Sequence, residues 1–68
     1  MELKKLISIY GNRRFIIEED LPEVGAYLYI YDDNKCIYDC LQDNIEICKE
    51  VAFESYHVPF DSWKKIDA

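Results

Sequence analysis

Apolar and polar side chains alternate most regularly between Ala26 and Tyr31. Successive side chains of an extended chain point to opposite faces of a sheet, so this stretch separates into two rows. One row is aromatic and the other aliphatic: Tyr27, Tyr29 and Tyr31 against Ala26, Leu28 and Ile30. A period of two predicts a strand at 26–31.

Two earlier apolar runs, residues 3–10 and 13–18, flank the pair Gly11-Asn12. Glycine at the first central position of a two-residue connection favours a type II′ turn, so the two runs are predicted to form a β-hairpin. The segment 20–25 contains a proline and a glycine that interrupt strand pairing. We therefore expect an exposed loop between the second and third strands.

A turn at 32–35, rich in Asp and Asn, is predicted to lead into a short fourth strand at 36–38. A helix then begins near Asp39 or Asp43, because each has a Gln or Glu three positions later, as in a capping box. Its apolar stripe recurs at helical spacing and consists of Leu41, Ile45, Cys48, Ala52 and Tyr56. Pro59 is predicted to end it.

The tail after Pro59 offers Asp61 as the cap of one further helical turn, and Trp63 is predicted to join the core. The fold class is therefore α+β: a three- to four-stranded, mainly antiparallel sheet with one long helix on one face, in the order ββββα with a short C-terminal turn. All of residues 1–68 form one domain. The aliphatic row suits the helix, so the tyrosine row is predicted to face away from it.

Charge changes this picture, because the net charge of −6 is unevenly distributed. Residues 15–61 hold twelve acidic side chains and two basic ones. Such a segment repels phosphate backbones, which argues against nucleic-acid binding, and it attracts a basic protein partner. The first residues lack the apolar core of a signal peptide, and no stretch approaches the roughly 20 apolar residues of a membrane span. We expect a cytoplasmic protein without membrane contact, with its three cysteines reduced.

Neither a metal site nor a catalytic group is predicted. Cys36, Cys40, Cys48 and His57 lack the ligand spacing of common zinc sites, apart from a single C-x₃-C pair. Residues 32–34 resemble the start of a calcium loop, but the required glycine and the bidentate glutamate are absent. We therefore expect a protein without enzymatic activity and without a cofactor.

The tyrosine row has three interpretations. Tyrosine is enriched in protein interfaces, aromatic ladders also stabilise sheets without a ligand, and aromatic platforms stack single-stranded bases in basic surroundings. The acidic surroundings of the tyrosine row disfavour the third interpretation, base stacking. The predicted interaction surface combines the row with nearby carboxylates: Tyr27, Tyr29, Tyr31, Glu18, Glu19, Asp20, Asp32 and Asp33.

Two motifs, YDCLQDNIE at 38–46 and VPFDSW at 58–63, resemble segments of a group of small acidic bacterial proteins. That group shares Y-D-x-L-Q-D at the opening of a helix and V-P-x-x-x-W after it. The resemblance spans about residues 25–66 and implies a shared fold, but no catalytic residue, because the group has no established activity. Its members usually carry glycine where His57 stands. A more general likeness, in size and charge, is to immunity proteins of bacterial toxin systems.

These observations leave two functional hypotheses. In the first, the chain is a protein-binding module, for example an immunity protein, that covers a basic partner with carboxylates from Glu18 to Asp33 or along the helix. The tyrosines would form the apolar centre of that contact. In the second, two copies stack their tyrosine faces and form part of a structural assembly.

Overall fold

A computed structural model describes residues 3–66, in which five antiparallel strands form one sheet. The strands follow the spatial order β4-β3-β2-β1-β5, and one helix packs on one face. Their bounds are β1 Lys5–Tyr10, β2 Arg13–Glu19, β3 Ala26–Asp32, β4 Lys35–Gln42, α1 Ile45–Tyr56 and β5 Lys64–Lys65, with a single 3₁₀ turn at Phe60–Ser62. The α+β class is confirmed, but the sheet has five strands rather than the predicted three to four. No helix within residues 3–66 is long and apolar enough to cross a bilayer.

The first hairpin forms as predicted, with Tyr10 opposite Arg13 across a two-residue connection. The predicted turn type was wrong. Gly11 and Asn12 both have positive φ angles, 59° and 66°, which is the type I′ geometry. Asparagine tolerates this left-handed region better than most residues.

The boundary between β4 and α1 was predicted wrongly, because the strand continues to Gln42 rather than ending at residue 38. Asn44 is the N-cap, and its Oδ1 accepts a hydrogen bond from the backbone N–H of Ile47 at 3.0 Å. Neither Asp39 nor Asp43 caps the helix. Pairing with β3 supplies backbone hydrogen bonds to residues 39–42, and this outweighs the local capping signals.

The core lies between α1 and the sheet. Its buried apolar members come from β2, β3, α1 and the segment after α1: Phe15, Ile17, Ala26, Leu28, Ile30, Cys48, Ala52 and Val58. The aliphatic row of β3 thus packs under the helix, as predicted, and the tyrosine row lies on the opposite face. Of the predicted helical stripe, only Leu41 fails, because it belongs to β4.

Helix α1 ends at Tyr56, three residues before Pro59, because His57 adopts a left-handed conformation with φ of 63°. The N–H of His57 donates to the Phe53 carbonyl at 2.8 Å, and the N–H of Val58 donates to the Ala52 carbonyl at 3.3 Å. This closing arrangement usually employs glycine, because other residues are strained at positive φ.

The C-terminal segment turns back onto the sheet. Trp63 packs against the core as predicted, with its ring 6.5 Å from that of Phe15 in an edge-to-face arrangement. Asp61 was predicted to cap a helical turn, but it lies inside the 3₁₀ turn, which has no side-chain cap. The following residues form β5, which pairs with β1 and had not been predicted.

Two features shape the β4 side of the sheet. The pairing register shifts between Ile30 and Tyr31, whose partners are Tyr38 and Cys36, so Ile37 is the extra residue of a β-bulge. Gly25, at the end of the loop 20–25, has a φ of 114°. A Cβ atom there would overlap the carbonyl oxygen of Gln42, so the loop can approach β4 only with glycine at this position.

Candidate interaction surface

The sheet face opposite α1 carries the tyrosine row, and we call it the open face. Within residues 3–66, α1 packs on the other face, and the C-terminal 3₁₀ turn packs against α1. The strand registers assign thirteen residues to the open face: Lys5, Ile7, Ile9, Arg14, Ile16, Glu18, Tyr27, Tyr29, Tyr31, Cys36, Asp39, Leu41 and Lys64.

The centre of the open face is a row that crosses all five strands, which we call the middle row. From β4 to β5 it consists of Asp39, Tyr29, Ile16, Ile7 and Lys64, each opposite the next. Its three central side chains are apolar or aromatic. An acid stands at one end and a base at the other, so the row is chemically asymmetric.

The tyrosines are half-buried by one another and by their neighbours. The rings of Tyr27 and Tyr29 stack with centroids 6.1 Å apart and planes inclined by 19°. The guanidinium of Arg14 lies 5.1 Å from the Tyr31 ring centroid and donates a hydrogen bond to Asn34 Oδ1 at 3.2 Å. Cross-strand packing therefore accounts for part of what the row does.

Burial, and to a lesser extent the nearby Glu18 carboxylate, raises the pKa of the Tyr29 hydroxyl above its ordinary value of 10.0. The phenol therefore stays neutral at physiological pH and can donate a hydrogen bond as well as accept one. A neutral, amphipathic ring at the centre of a sheet face suits binding to another surface better than it suits acid–base chemistry.

Aliphatic side chains extend the row on both sides, and the sequence interpretation missed them. Ile9 is 71% exposed and Leu41 is 50% exposed, while Ile7 and Ile16 are half-buried. The sequence did contain a signal for these aliphatic neighbours, because a two-residue connection after Tyr10 places Ile7 opposite Ile16 in the first hairpin. It was obscured because apolar residues occupy both faces of β1, at Leu6 and Ile7 and again at Ile9 and Tyr10.

Of the five carboxylates predicted to accompany the tyrosines, only Glu18 lies on the open face. Glu18 is opposite Tyr27, and its Oε2 lies 3.7 Å from Lys5 Nζ. Glu19 is opposite the buried Ala26, and its side chain accepts a hydrogen bond from the Lys4 N–H at 3.0 Å.

The other three carboxylates lie at opposite ends of the sheet. Asp20 accepts the Leu21 N–H at 2.7 Å at the start of the loop. Asp32 pairs with Arg13 at 3.7 Å, and Asp33 is in the exposed turn before β4. A seven-residue strand is roughly 20 Å long, so these groups do not form one patch with Asp20.

Charge is divided between the two sides of the molecule. The open face has three bases and two acids, whereas the rest of residues 3–66 has ten acids and five bases. Glu46, Glu50 and Glu54 are exposed along the outer side of α1 at a spacing of four residues. The acidic surface and the tyrosine surface therefore point in different directions.

The cysteines occupy three different environments. Cys36 is exposed on the open face, Cys40 is half-buried, and Cys48 lies on the buried side of α1, where its thiol is 3.5 Å from the Ala26 carbonyl oxygen. Burial raises the pKa of Cys48 to about 11. No group of three or more potential metal-ligating side chains occurs within the described part of the chain.

A hollow of about 250 Å³ adjoins the start of α1, between the loop 20–25 and Asn44. Its charged lining consists of the carboxylates of Glu19, Asp20 and Asp43, beside Leu3 and Pro22. One of these carboxylates already accepts the Lys4 N–H and another accepts the Leu21 N–H. The hollow adds to the acidic side of the molecule and is separate from the open face.

No family model, curated protein or solved structure matches this chain. The resemblance to small acidic bacterial proteins stays a prediction. Its first motif, residues 38–43, lies in β4 and at the connection to α1 rather than within the helix.

Proposed function

We propose that this protein is a non-enzymatic protein-binding module that acts through its open face. The observation that carries the proposal is the exposure of aliphatic side chains beside the tyrosine row. Ile9 and Leu41 are half or more exposed at opposite corners of a face whose middle is Tyr29, Ile16 and Ile7. Tyrosine surrounded by aliphatic groups, with charges at the margin, is the usual composition of an interface core and its rim.

Packing within the sheet explains only part of this face. Aromatic cross-strand pairs stabilise a sheet by roughly 0.2–1 kcal/mol each, which accounts for the stacked Tyr27 and Tyr29. This packing does not explain why the Ile9 side chain is exposed to solvent. Single exposed apolar residues are common on protein surfaces, but a contiguous apolar group rimmed by charges is typical of an interaction site.

The proposal is tested by affinity capture from the native host with matched baits. Ile9→Lys places a charge on the open face at a highly exposed position, where we expect the fold to tolerate it. Leu21→Lys is the control, because Leu21 is an exposed apolar residue of the loop 20–25. A partner retained by the wild type and by Leu21→Lys, and lost with Ile9→Lys, is the expected result. Equal retention by all three baits would exclude the open face as the binding site.

A second candidate is an immunity-type role, in which the protein neutralises a basic partner. The observation that favours it is the exposed acidic line of Glu46, Glu50 and Glu54 on α1. Such a line accelerates the encounter with a basic surface, and salt weakens the effect. Capture that is lost at high salt and with Glu50→Lys, but retained with Ile9→Lys, would assign the partner to the acidic side.

A further inference from the structure

We infer that the partner of the open face is a second copy of this chain, stacked face to face about a two-fold axis that runs along β2. The inference rests on the proposed function, because it names the occupant of the same surface. It depends on how charge is distributed over the molecule and on the asymmetry of the middle row.

Charge selects the face on which two copies can meet. Each chain has a net charge of −6, so most surfaces of one copy repel those of another. Among residues 3–66, the open face differs from the rest in having three bases against two acids. It offers no excess of acid that would attract a basic protein, and it is the side on which two acidic molecules repel each other least.

The middle row is complementary to itself when it is reversed. β2 is the central strand, with two strands on either side of it. A two-fold axis along β2 exchanges the two edges of the sheet, so Asp39 of one copy faces Lys64 of the other, twice in each dimer. The same operation places Tyr29 over Ile7 of the second copy, and Ile16 over its counterpart, so the apolar centre is closed on both sides.

Within residues 3–66, Asp39 and Lys64 of one copy cannot pair with each other. They stand four strands apart, roughly 19 Å at the spacing of neighbouring strands. Neither has an ion-pair partner within residues 3–66. Both are exposed.

The alternative two-fold axis, perpendicular to the strands, is less favourable. It brings Asp39 onto Asp39 and Lys64 onto Lys64, so that the unpaired charges meet their own kind. The axis along β2 instead places Glu18 and Arg14 over their own counterparts, whereas the perpendicular axis would place Glu18 over Arg14. Glu18 already pairs with Lys5, and Arg14 already stacks on Tyr31, so these like-charge contacts are partly compensated within each copy.

The size of the face indicates a weak dimer. Four strands of six to eight residues about 4.8 Å apart, with the two-residue β5 beside them, present roughly 400–500 Å² per copy, or about 800–1,000 Å² in total. Specific, stable interfaces usually bury about 1,200–2,000 Å², so this one falls below that range, among weak and transient contacts. We therefore expect a dissociation constant of roughly 10–100 µM.

Sedimentation equilibrium across roughly 5 µM to 1 mM protein tests the inference. Asp39→Lys and Lys64→Asp each convert two attractions into repulsions, and each is expected to weaken association about five- to tenfold. The double variant Asp39→Lys/Lys64→Asp restores the opposed charges and keeps the net charge, so its dissociation constant should return to within about a factor of two of the wild type.

Controls separate these pairs from general charge effects. Glu50→Lys and Lys65→Asp make the same changes in net charge at exposed positions off the open face, and neither should weaken association. A protein that stays monomeric at the highest concentration would overturn the inference. A dimer that the charge exchange does not restore would also overturn it. The capture experiment with Ile9→Lys is independent: a monomeric protein whose host partner is lost with that variant would refute the second copy and leave the proposed function intact.

Discussion

The two faces of β3 have the same backbone and opposite environments. Leu28 and Ile30 are fully buried beneath α1, while Tyr29 and Tyr31, next to them in sequence, are half-buried on the open face. Full burial of a Leu or Ile side chain contributes about 1.5–3 kcal/mol, so the covered face supplies most of what holds this small domain together. The open face contributes less to folding, which is compatible with its proposed role in recognition.

This division teaches that a chain of 68 residues can build a stable core with one side of its sheet only. A domain below roughly 70–80 residues rarely has more than about 3–5 kcal/mol of stability from its core. Losing any large group from the covered face should therefore be severe, and losing one from the open face should be mild. The predictions below test this difference, beginning with the largest expected effect.

Replacing Trp63 with Ala should unfold the protein. Trp63 is partly buried and packs against the core beside Phe15. Truncation of a core tryptophan typically costs about 3–5 kcal/mol, so even most of that loss is comparable to the stability available. The measurement is a thermal melt followed by circular dichroism, with Trp63→Phe as the control that retains an aromatic ring. A cooperative melt of Trp63→Ala near the wild-type temperature would contradict the prediction.

Leu28→Ala and Tyr29→Ala compare the two faces at adjacent positions. Leu28→Ala should cost about 2–5 kcal/mol because it leaves a cavity under α1, whereas Tyr29→Ala should cost no more than about 1 kcal/mol. Urea denaturation of both variants measures the difference. Comparable losses would mean that the tyrosine row is as structural as the core, and the open face would lose its principal anchor.

Cys48 and Cys36 compare the faces by chemical reactivity. A thiol reagent should modify the exposed Cys36 quickly and reach the buried Cys48 only when the chain unfolds. Modification of Cys48 at the rate of Cys36 in folded protein would show that α1 does not cover the sheet as described.

The raised pKa of Cys48 also predicts a dependence of stability on pH. Folding raises this pKa from the ordinary value of 9.0 to about 11, so the protonated thiol favours the folded state. Its contribution is complete below pH 9.0 and is lost as the pH rises towards about 11. Urea midpoints of the wild type should fall more steeply over this interval than those of Cys48→Ala. Urea midpoints that fall equally with pH in the wild type and in Cys48→Ala would contradict the raised pKa of Cys48.

The smallest expected effect is a gain from His57→Gly. A residue with a side chain is strained by about 1–2 kcal/mol in the left-handed conformation, and the greater freedom of unfolded glycine offsets part of that. We expect a net stabilisation of about 0.5–1 kcal/mol, measured as a higher melting temperature. His57→Ala should give no such gain. Because His57 lies on the covered side, dimer association should not change.

Local alternation was sufficient to predict the two faces of β3, because a period of two leaves no choice about which side chains share a face. The hairpin β1–β2 followed from the two residues between its apolar runs. The boundary at Asp39–Asn44 could not be predicted in the same way. Leu41 matched the helical spacing of Ile45, and only the pairing of β4 with β3 decides that residue 41 is extended.

Pairing between strands that are distant in sequence also formed an element that the local sequence did not indicate. β5 has two lysines and no strand propensity, and it exists because the chain after Trp63 passes alongside β1. The candidate surface was predicted in part. Its tyrosines were identified within one strand, but Ile7, Ile9 and Ile16 joined them only once three strands were aligned.

The bulge at Ile37 bears on whether further chains could add to the outer edge of β4. A long, regular edge strand exposes unpaired backbone N–H and C=O groups to which another chain can add. β4 is a long edge strand, but the β-bulge at Ile37 interrupts the regular spacing of these groups. Lateral addition is discouraged there, while the proposed stacking across the open face would be complete once two molecules have met. The irregular edge thus favours a closed pair over a fibre.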